Sequence, residues 1–553
     1  MKNVSILFPD QVHFHDRNFK SLFDTIKKHS IRHTFVTNMH HLVAAFGDYF
    51  EHKEQLINEY NEVSQLSNEE LFKLKENGTM LFKVYRSEAL SYFLSLPKFR
   101  NKISQNFTDY EIFENMSQVN HEALLLNISA AIFWLKFWDD KLKTLKIHTY
   151  ACIFSGEQIY NRALLEKLKT HTTTPLVLEH FFTGNEFYFE EKYEPIPNNT
   201  NLKHMNAYKS IILPSNQDEF ERKRIKAINK VLLSKNKNVL QPSEFQKIEN
   251  YGRKIISIIG QVYNDYSIIG TATKYLSSIN FYLELIDKLL DQESNYVVFK
   301  AHPWERNKTR QKLAPTYDAL LNYREKLPYE KKNRLLITEN FNLSDLINQS
   351  EHIVTLCSQS AIEAAFLGSK PVQLGNAFYG KKGFTYDYSC IDDFINDLQD
   401  EKLSRALTLN EYKNLEIFLM KFLEVELASV HKSGIGTLEN KLKLYPYIKL
   451  VKQEKPTIIS EAKNEIQKLV SSPLESALVQ KAIDIVSNNL TKEDISSETL
   501  SKKIVKDEGI TIEKNKKSNL LRKFRKLTKN PKSFFFDSKS KILNKIGSVM
   551  FNS

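Results

Sequence analysis

Short apolar runs alternate with longer stretches of helical periodicity along most of this chain. That alternation is the mark of strands and helices laid into a parallel α/β sheet. The first run, residues 4–8, leads through a turn rich in His and Asp (Asp10, His13, His15, Asp16). A helix is predicted over 19–28 and a strand at 34–37, which completes a β-α-β opening. Further strands are expected at 147–154 and 176–178, with a helix over 156–169 between them. Residues 215–250, rich in Lys, Asn, Gln and Ser, read as a helical linker.

A second alternation starts with a strand at 254–260. It continues through a helix at 277–291, a strand at 296–300, a helical stretch at 309–327 and strands at 334–338 and 352–356. The last of these stops at polar residues, where Ser360 begins a helix that ends near Gly368, and 371–375 reads as the next strand. Glu363 lies three residues after Ser360, the spacing of a capping box. A strand, a polar turn and a helix N-terminus in that order favour an anion, because free N–H groups and the helix dipole converge there. The predicted fold class is α/β of the GT-B type, two Rossmann-like parallel-sheet domains facing a cleft. Their expected bounds are 1–240 and 250–455, followed by a helical basic tail at 456–553.

Composition changes this picture in one respect. The 553 residues carry a net charge of +12, yet twelve Lys/Arg and a single acid lie from Lys514 onward. The rest holds 66 basic and 65 acidic residues, so the body is nearly neutral and nucleic acid is not expected as a partner. Three cysteines, Cys152, Cys357 and Cys390, have no metal-ligand spacing and an odd count, which argues against a disulfide framework. No signal peptide and no apolar run long enough to span a bilayer are read, and a cytoplasmic location is expected. No metal site is expected either. Asp139-Asp140 lacks the D-x-D form and is read as a solvent-facing pair on a helix.

Several polar residues stand where open parallel sheets bind ligands, just past the carboxyl ends of strands. His302 follows the strand at 296–300, and Pro303 fixes the turn that aims it. It either donates to a phosphate or is satisfied by a loop carbonyl. Ser358 and Ser360 offer hydroxyls and N–H groups at a helix start, for capping or for a ligand. Glu363 closes a capping box or takes ribose hydroxyls. Asp10 and His13 stand at the carboxyl end of the first strand, where they could line the acceptor side.

The run from Cys357 to Thr385, with the upstream His302-Pro303 pair, resembles the bacterial capsule polysaccharide biosynthesis family. The shared pattern is an H-P pair, a serine pair, E-A, G-x-P-V and an F-Y…G-x-T ending, in that order. An upstream G-Q…D-x-S element is matched by Gly260, Gln261, Asp265 and Ser267. The resemblance covers roughly residues 150–390 and includes retaining β-Kdo transferases that use CMP-Kdo. It implies a GT-B glycosyltransferase with the CMP-sugar held mainly by the second domain. His302, Pro303, Ser358 and Ser360 would then meet phosphate, and Glu363 ribose.

Retention by double displacement needs one nucleophilic carboxylate and one acid/base group. The resemblance makes Asp265 the nucleophile, supported by Gln261 and Ser267; the alternative is an ordinary turn aspartate. Glu179 stands where the family has a Glu-Asp-Gly-Phe-like element, but here His180 replaces the aspartate and the glycine is displaced. It is read either as the general acid/base or as a structural carboxylate, with Glu157 a weaker candidate. No cofactor is implied, since the CMP-sugar is a donor substrate.

The acceptor is expected to be a capsular or other surface polysaccharide or its lipid-linked primer. In the tail, Leu520, Leu521, Phe524 and Leu527 share a helical face flanked by cations. That pattern suits contact of residues 514–553 with an anionic membrane at the inner face of the cytoplasmic membrane; a disordered tail or a docked helix are the alternatives. Two rival functions remain: an inverting CMP-sialic acid transferase, and a non-catalytic capsule assembly or export scaffold.

Overall fold

The computed structural model describes residues 4–444 apart from 37–42, 45, 104–106, 235–241, 243, 273 and 309–312. The expected tail domain at 456–553, with its membrane-contacting segment 514–553, lies outside the described residues.

The first lobe is a six-stranded sheet. Its early strands are β1 (Ser5–Phe8), β2 (Arg32–Phe35), β5 (Tyr150–Phe154), β6 (Thr174–His180) and β7 (Glu186–Glu191), with a small hairpin of β3 (Lys75–Glu76) and β4 (Thr79–Met80) set apart. The second lobe contains β8 (Lys254–Ile259), β9 (Asn295–Lys300), β10 (Leu335–Thr338), β11 (His352–Thr355), β12 (Val372–Gln373) and β13 (Tyr386–Asp387). A last strand, β14 (Ala428–Ser429), returns to the first sheet, whose order is β14-β7-β6-β5-β1-β2.

The second sheet runs β10-β9-β8-β11-β12-β13, and its strand pairs are all parallel. Five of six residues in β8 are buried, as expected of a strand covered on both faces. Strand order reverses at β8, which has β9 on one side and β11 on the other. The crevice at such a reversal is where open α/β sheets take ligands. The loops that leave β8 and β11 there are those of Gln261–Ser267 and Cys357–Ser360.

The first sheet departs from expectation. β7 pairs antiparallel with β6, and β14 antiparallel with β7, so the sheet is mixed rather than wholly parallel. Residues 428–444, expected in the second domain, belong to this lobe. Ser21 Oγ donates to the Ser429 carbonyl at 2.5 Å, and Glu439 accepts from Lys28 and His29 at 2.7 and 2.6 Å. Both sheets fall in one compact unit, residues 1–446.

Between β2 and β5 the chain inserts a helical layer that includes Leu81–Phe93 and the 24-residue helix His121–Thr144. Its core holds the buried Trp134 and Trp138. Two bonds tie this layer to the second lobe. Arg86 Nη1 donates to the Ile269 carbonyl at 3.1 Å, and Asn280 Nδ2 to the Arg100 carbonyl at 2.8 Å. Asp139 does not simply face solvent, because it pairs with the buried Lys167 at 2.6 Å; Asp140 is exposed. Among the described residues no helix is long and apolar enough to cross a membrane, and no cluster of His, Cys, Asp and Glu could hold a metal ion.

Candidate active site

A cavity of about 230 Å³ lies between the two sheets. Glu179, His180 and Asn198 line it from the first lobe, and Asp265, Ser267 and Gln359 from the second. It is smaller than the ~300–1,000 Å³ of pockets that engulf a drug-sized ligand. It has room for a small group rather than for a whole drug-sized ligand.

Asp265 owes its place to the chain just past β8. It N-caps the short helix Tyr266–Ile269, with Oδ1 accepting from the Ser267 N–H at 2.9 Å. Its other oxygen, Oδ2, accepts from Gln261 Nε2 at 2.9 Å. Gln261 is buried and its Oε1 accepts from the Cys357 N–H at 2.9 Å, so one amide couples the β8 loop to the β11 loop. Each carboxylate oxygen thus receives one fixed bond and keeps lone pairs for another partner.

Glu179 stands inside β6, opposite Tyr188 of β7, and its Oε1 accepts from the His180 N–H at 2.9 Å. The two carboxylates that the sequence picked as a catalytic pair therefore face one cavity from opposite lobes.

The remaining expected contacts divide. Gln261 supports Asp265 from behind, and Ser267 lines the cavity. His302, Pro303, Ser358, Ser360 and Glu363 are not in its lining; the first three stand in the adjoining loops after β9 and β11, and Ser360 and Glu363 in the first turn of the helix Ser360–Phe366. His302 Nδ1 lies 3.2 Å from the Trp304 N–H. Ser358 Oγ accepts from the Ser360 N–H at 3.3 Å. The N–H groups of Ser358 and Gln359 meet no acceptor among the described residues, which leaves two donors at that turn.

The expected capping box is absent. Gln359 occupies the N-cap position in a helical conformation without a side-chain cap. Its Oε1 instead reaches across the cleft to the Phe182 N–H at 3.0 Å. Glu363 is thereby released from a capping role. Burial pushes its carboxyl up to about 7, against the opposing pull of Lys300. Burial likewise lowers Lys300, with Glu363 acting in the other direction.

A carboxyl raised in the folded state is protonated there while the unfolded chain is ionised. Stability should therefore fall as pH rises from about 4.5 to about 7 and then level off. Glu363→Gln removes that cost, which we put at about 1–2 kcal/mol because the residue keeps a partial opening to solvent. Urea midpoints at pH 5, 6, 7 and 8 should show the variant gaining on the parent across this window. Parallel profiles would refute the assignment.

Asp10 and His13 do meet at the end of β1. The buried Asp10 accepts from the His13 N–H at 3.0 Å and from the Tyr160 hydroxyl at 2.8 Å, and His13 Nδ1 lies 3.3 Å away. Burial acts to raise the Asp10 pKa, but the bonds and charge from His13 and the Tyr160 bond leave it lowered. His13 stacks on Phe154, which also touches His180. Glu157 is buried away from this cavity, with its pKa raised by burial despite Ser87, Arg162 and Arg86. Sequence reasoning passed over Asn198, His180 and Gln359 as lining residues. For Asn198 the Pro-Asn-Asn run at 197–199 was an available turn signal.

Residues 176–417 match the model of the capsule polysaccharide biosynthesis protein family. Among solved structures, the chain is similar to KpsC of Thermosulfurimonas dismutans, described as a beta Kdo 2,4 transferase. Identity is 20%, coverage 53% of this chain and 87% of that one, and the TM-score 0.37. It is also similar to KpsC of the same organism described as a beta Kdo 2,7 transferase, at 16% identity, 55% and 89% coverage and a TM-score of 0.33. A trehalose 6-phosphate synthase of Burkholderia multivorans is 9% identical over 85% of this chain and 99% of that one, with a TM-score of 0.29. No curated protein matches the chain. The cavity residues from Glu179 to Phe378 all fall inside the family match. The chain is a two-lobed α/β protein whose segment 176–417 matches the model of the capsule polysaccharide biosynthesis family.

Proposed function

We propose that this chain is a capsule glycosyltransferase that moves Kdo from CMP-Kdo, with retention, to a surface polysaccharide or its lipid-linked primer. The observation that carries the reading is the cavity itself, in which Glu179 and Asp265 face the same space from different lobes. In the proposed reaction an oxygen of Asp265 attacks the anomeric carbon. The bond from that carbon to the donor phosphate breaks, and CMP leaves with the electron pair. Glu179 then takes the proton of the acceptor hydroxyl as that oxygen displaces Asp265, which restores both carboxylates after proton release.

The leaving phosphate would lie against the free N–H groups of Ser358 and Gln359, the hydroxyls of Ser358 and Ser360, and His302. Fixed donors aimed at a developing negative charge lower the barrier because they need no reorganisation. Pro303 holds the His302 turn, and Glu363, about half protonated near pH 7, would donate to a ribose hydroxyl in its neutral form. Binding at the inner face of the membrane through 514–553 belongs to the same proposal.

The test is CMP release from CMP-Kdo and CMP-sialic acid offered separately, with product anomers read by NMR. CMP-Kdo alone should turn over, and the new linkage should keep the donor's configuration. Turnover of sialic acid alone, or inversion, would overturn the assignment, and no release from any donor would favour a scaffold. Glu179→Gln should cost ~10²–10⁴-fold in turnover. A variant within threefold of the parent would remove Glu179 from the mechanism.

A further inference from the structure

Asn198 makes more bonds across the cleft than its place in a loop after β7 requires. Its Oδ1 accepts from the Phe378 N–H at 2.7 Å. Its Nδ2 donates to Thr271 Oγ1 at 2.8 Å and, more weakly, to the carbonyls of Ser267 and Asn376 at 3.4 and 3.3 Å. A backbone N–H only donates, so the Phe378 bond fixes which way round the amide stands. The Thr271 hydroxyl donates in turn to the Ser267 carbonyl at 2.7 Å, which makes the donor–acceptor order consistent through the chain. Asn198 is 7% exposed, lines the cavity, and adopts a left-handed backbone (φ 51°) that Asn and Asp tolerate better than other side chains.

We infer that Asn198 is a positioning residue: it clasps the first lobe to the 265–271 and 376–378 loops and so sets Asp265 against Glu179. The bonds land on both sides of what the reaction needs. Ser267 and Thr271 bracket the short helix that Asp265 caps, and Phe378 lines the same cavity. No other polar side chain of this loop reaches both segments among the described residues. The inference rests on reading the cavity as the reaction centre.

Asn198→Asp tests it, because the change is isosteric and keeps the backbone conformation accessible. It turns the donor end into an acceptor that faces two carbonyls. The expected result is a fall in kcat of ~10–100-fold, the cost of a displacement on the ångström scale. The Kd for CMP should stay within about threefold, since the phosphate turn is untouched, and kcat is read at a temperature where the variant remains folded, because a buried acceptor facing two carbonyls costs stability. Thr271→Val, which removes the shortest Nδ2 bond together with the hydroxyl's own bond to the Ser267 carbonyl, should give part of that loss, and the double variant no more than Asn198→Asp alone.

A kcat within threefold of the parent, strictly additive losses, or a fall matched by the unfolded fraction would overturn the inference. Should Asn198→Asp fail to fold, Thr271→Val carries the test by itself. If the unaltered protein releases CMP from no donor, the reading of the site fails, and the clasp is judged by hydrogen exchange instead. Faster exchange at 266–271 in Asn198→Asp would support the clasp, and unchanged exchange would refute it.

Discussion

Asp265→Ala is expected to lower CMP release by ~10³-fold or more, because in the proposed double displacement no neighbouring group replaces the nucleophile. The same change leaves the Ser267 N–H and Gln261 Nε2 without their acceptor. Loss of an N-cap bond costs only about 1 kcal/mol of stability, so the variant should fold and melt close to the parent while turnover collapses. Asp265→Asn is a poorer control than it looks. The Ser267 N–H demands an oxygen, which turns the new amide nitrogen toward Gln261 Nε2. Gln261 has no free flip to offer, since its oxygen already serves the Cys357 N–H. Both variants are therefore expected to be inactive, with Asn the less stable of the two. Mass spectrometry of the parent with CMP-Kdo and no acceptor should find a sugar adduct on Asp265. Near-normal release from Asp265→Ala would end the double-displacement reading.

The fold was legible where local pattern and tertiary role agree. The apolar runs at 254–260 and 296–300 became β8 and β9 with bounds shifted by about one residue, because strands buried on both faces announce themselves by composition. The helix after β11 began at Ser360 as read. Its capping box did not form, because a spacing motif specifies a bond only when no better partner competes. Here Gln359 took the cap position and spent its side chain on Phe182 of the other lobe.

What the sequence hid was non-local. β14 is two residues long and pairs with β7 across more than half the described chain, and no periodicity marks so short a strand. The antiparallel course of β7 depends on a tight return after His180, and the segment 186–191, half of it Glu, does not read as a buried strand. The candidate pair was visible because Asp265 follows a strand and Glu179 lies one residue short of a strand's end. Asn198 was not, since its role exists only once both lobes are folded around it.

The C-terminal return has an energetic consequence that can be measured. Phe418 and Phe422, four residues apart, fall where the helix Leu409–Met420 passes into a π-helical turn at Lys421–Glu426. Phe422 is fully buried, with ring centroids 4.4 Å from Phe418, 5.5 Å from Phe378 and 6.0 Å from Phe181. The cluster draws on β6's exit loop, the cavity wall and the returning segment at once. Phe422→Ala should cost about 3–5 kcal/mol, the range for emptying a buried aromatic site. That is a large share of the ~5–15 kcal/mol that holds a typical protein folded. Phe422→Leu refills most of the volume and should cost less than about 1.5 kcal/mol. Urea midpoints would separate the two. Because Phe378 lines the cavity and its N–H holds Asn198, Phe422→Ala should also lose turnover under conditions where it remains folded, whereas Phe422→Leu should keep it. A shift below about 1 kcal/mol for Phe422→Ala would mean that the ring cluster does not couple the returning segment to the site.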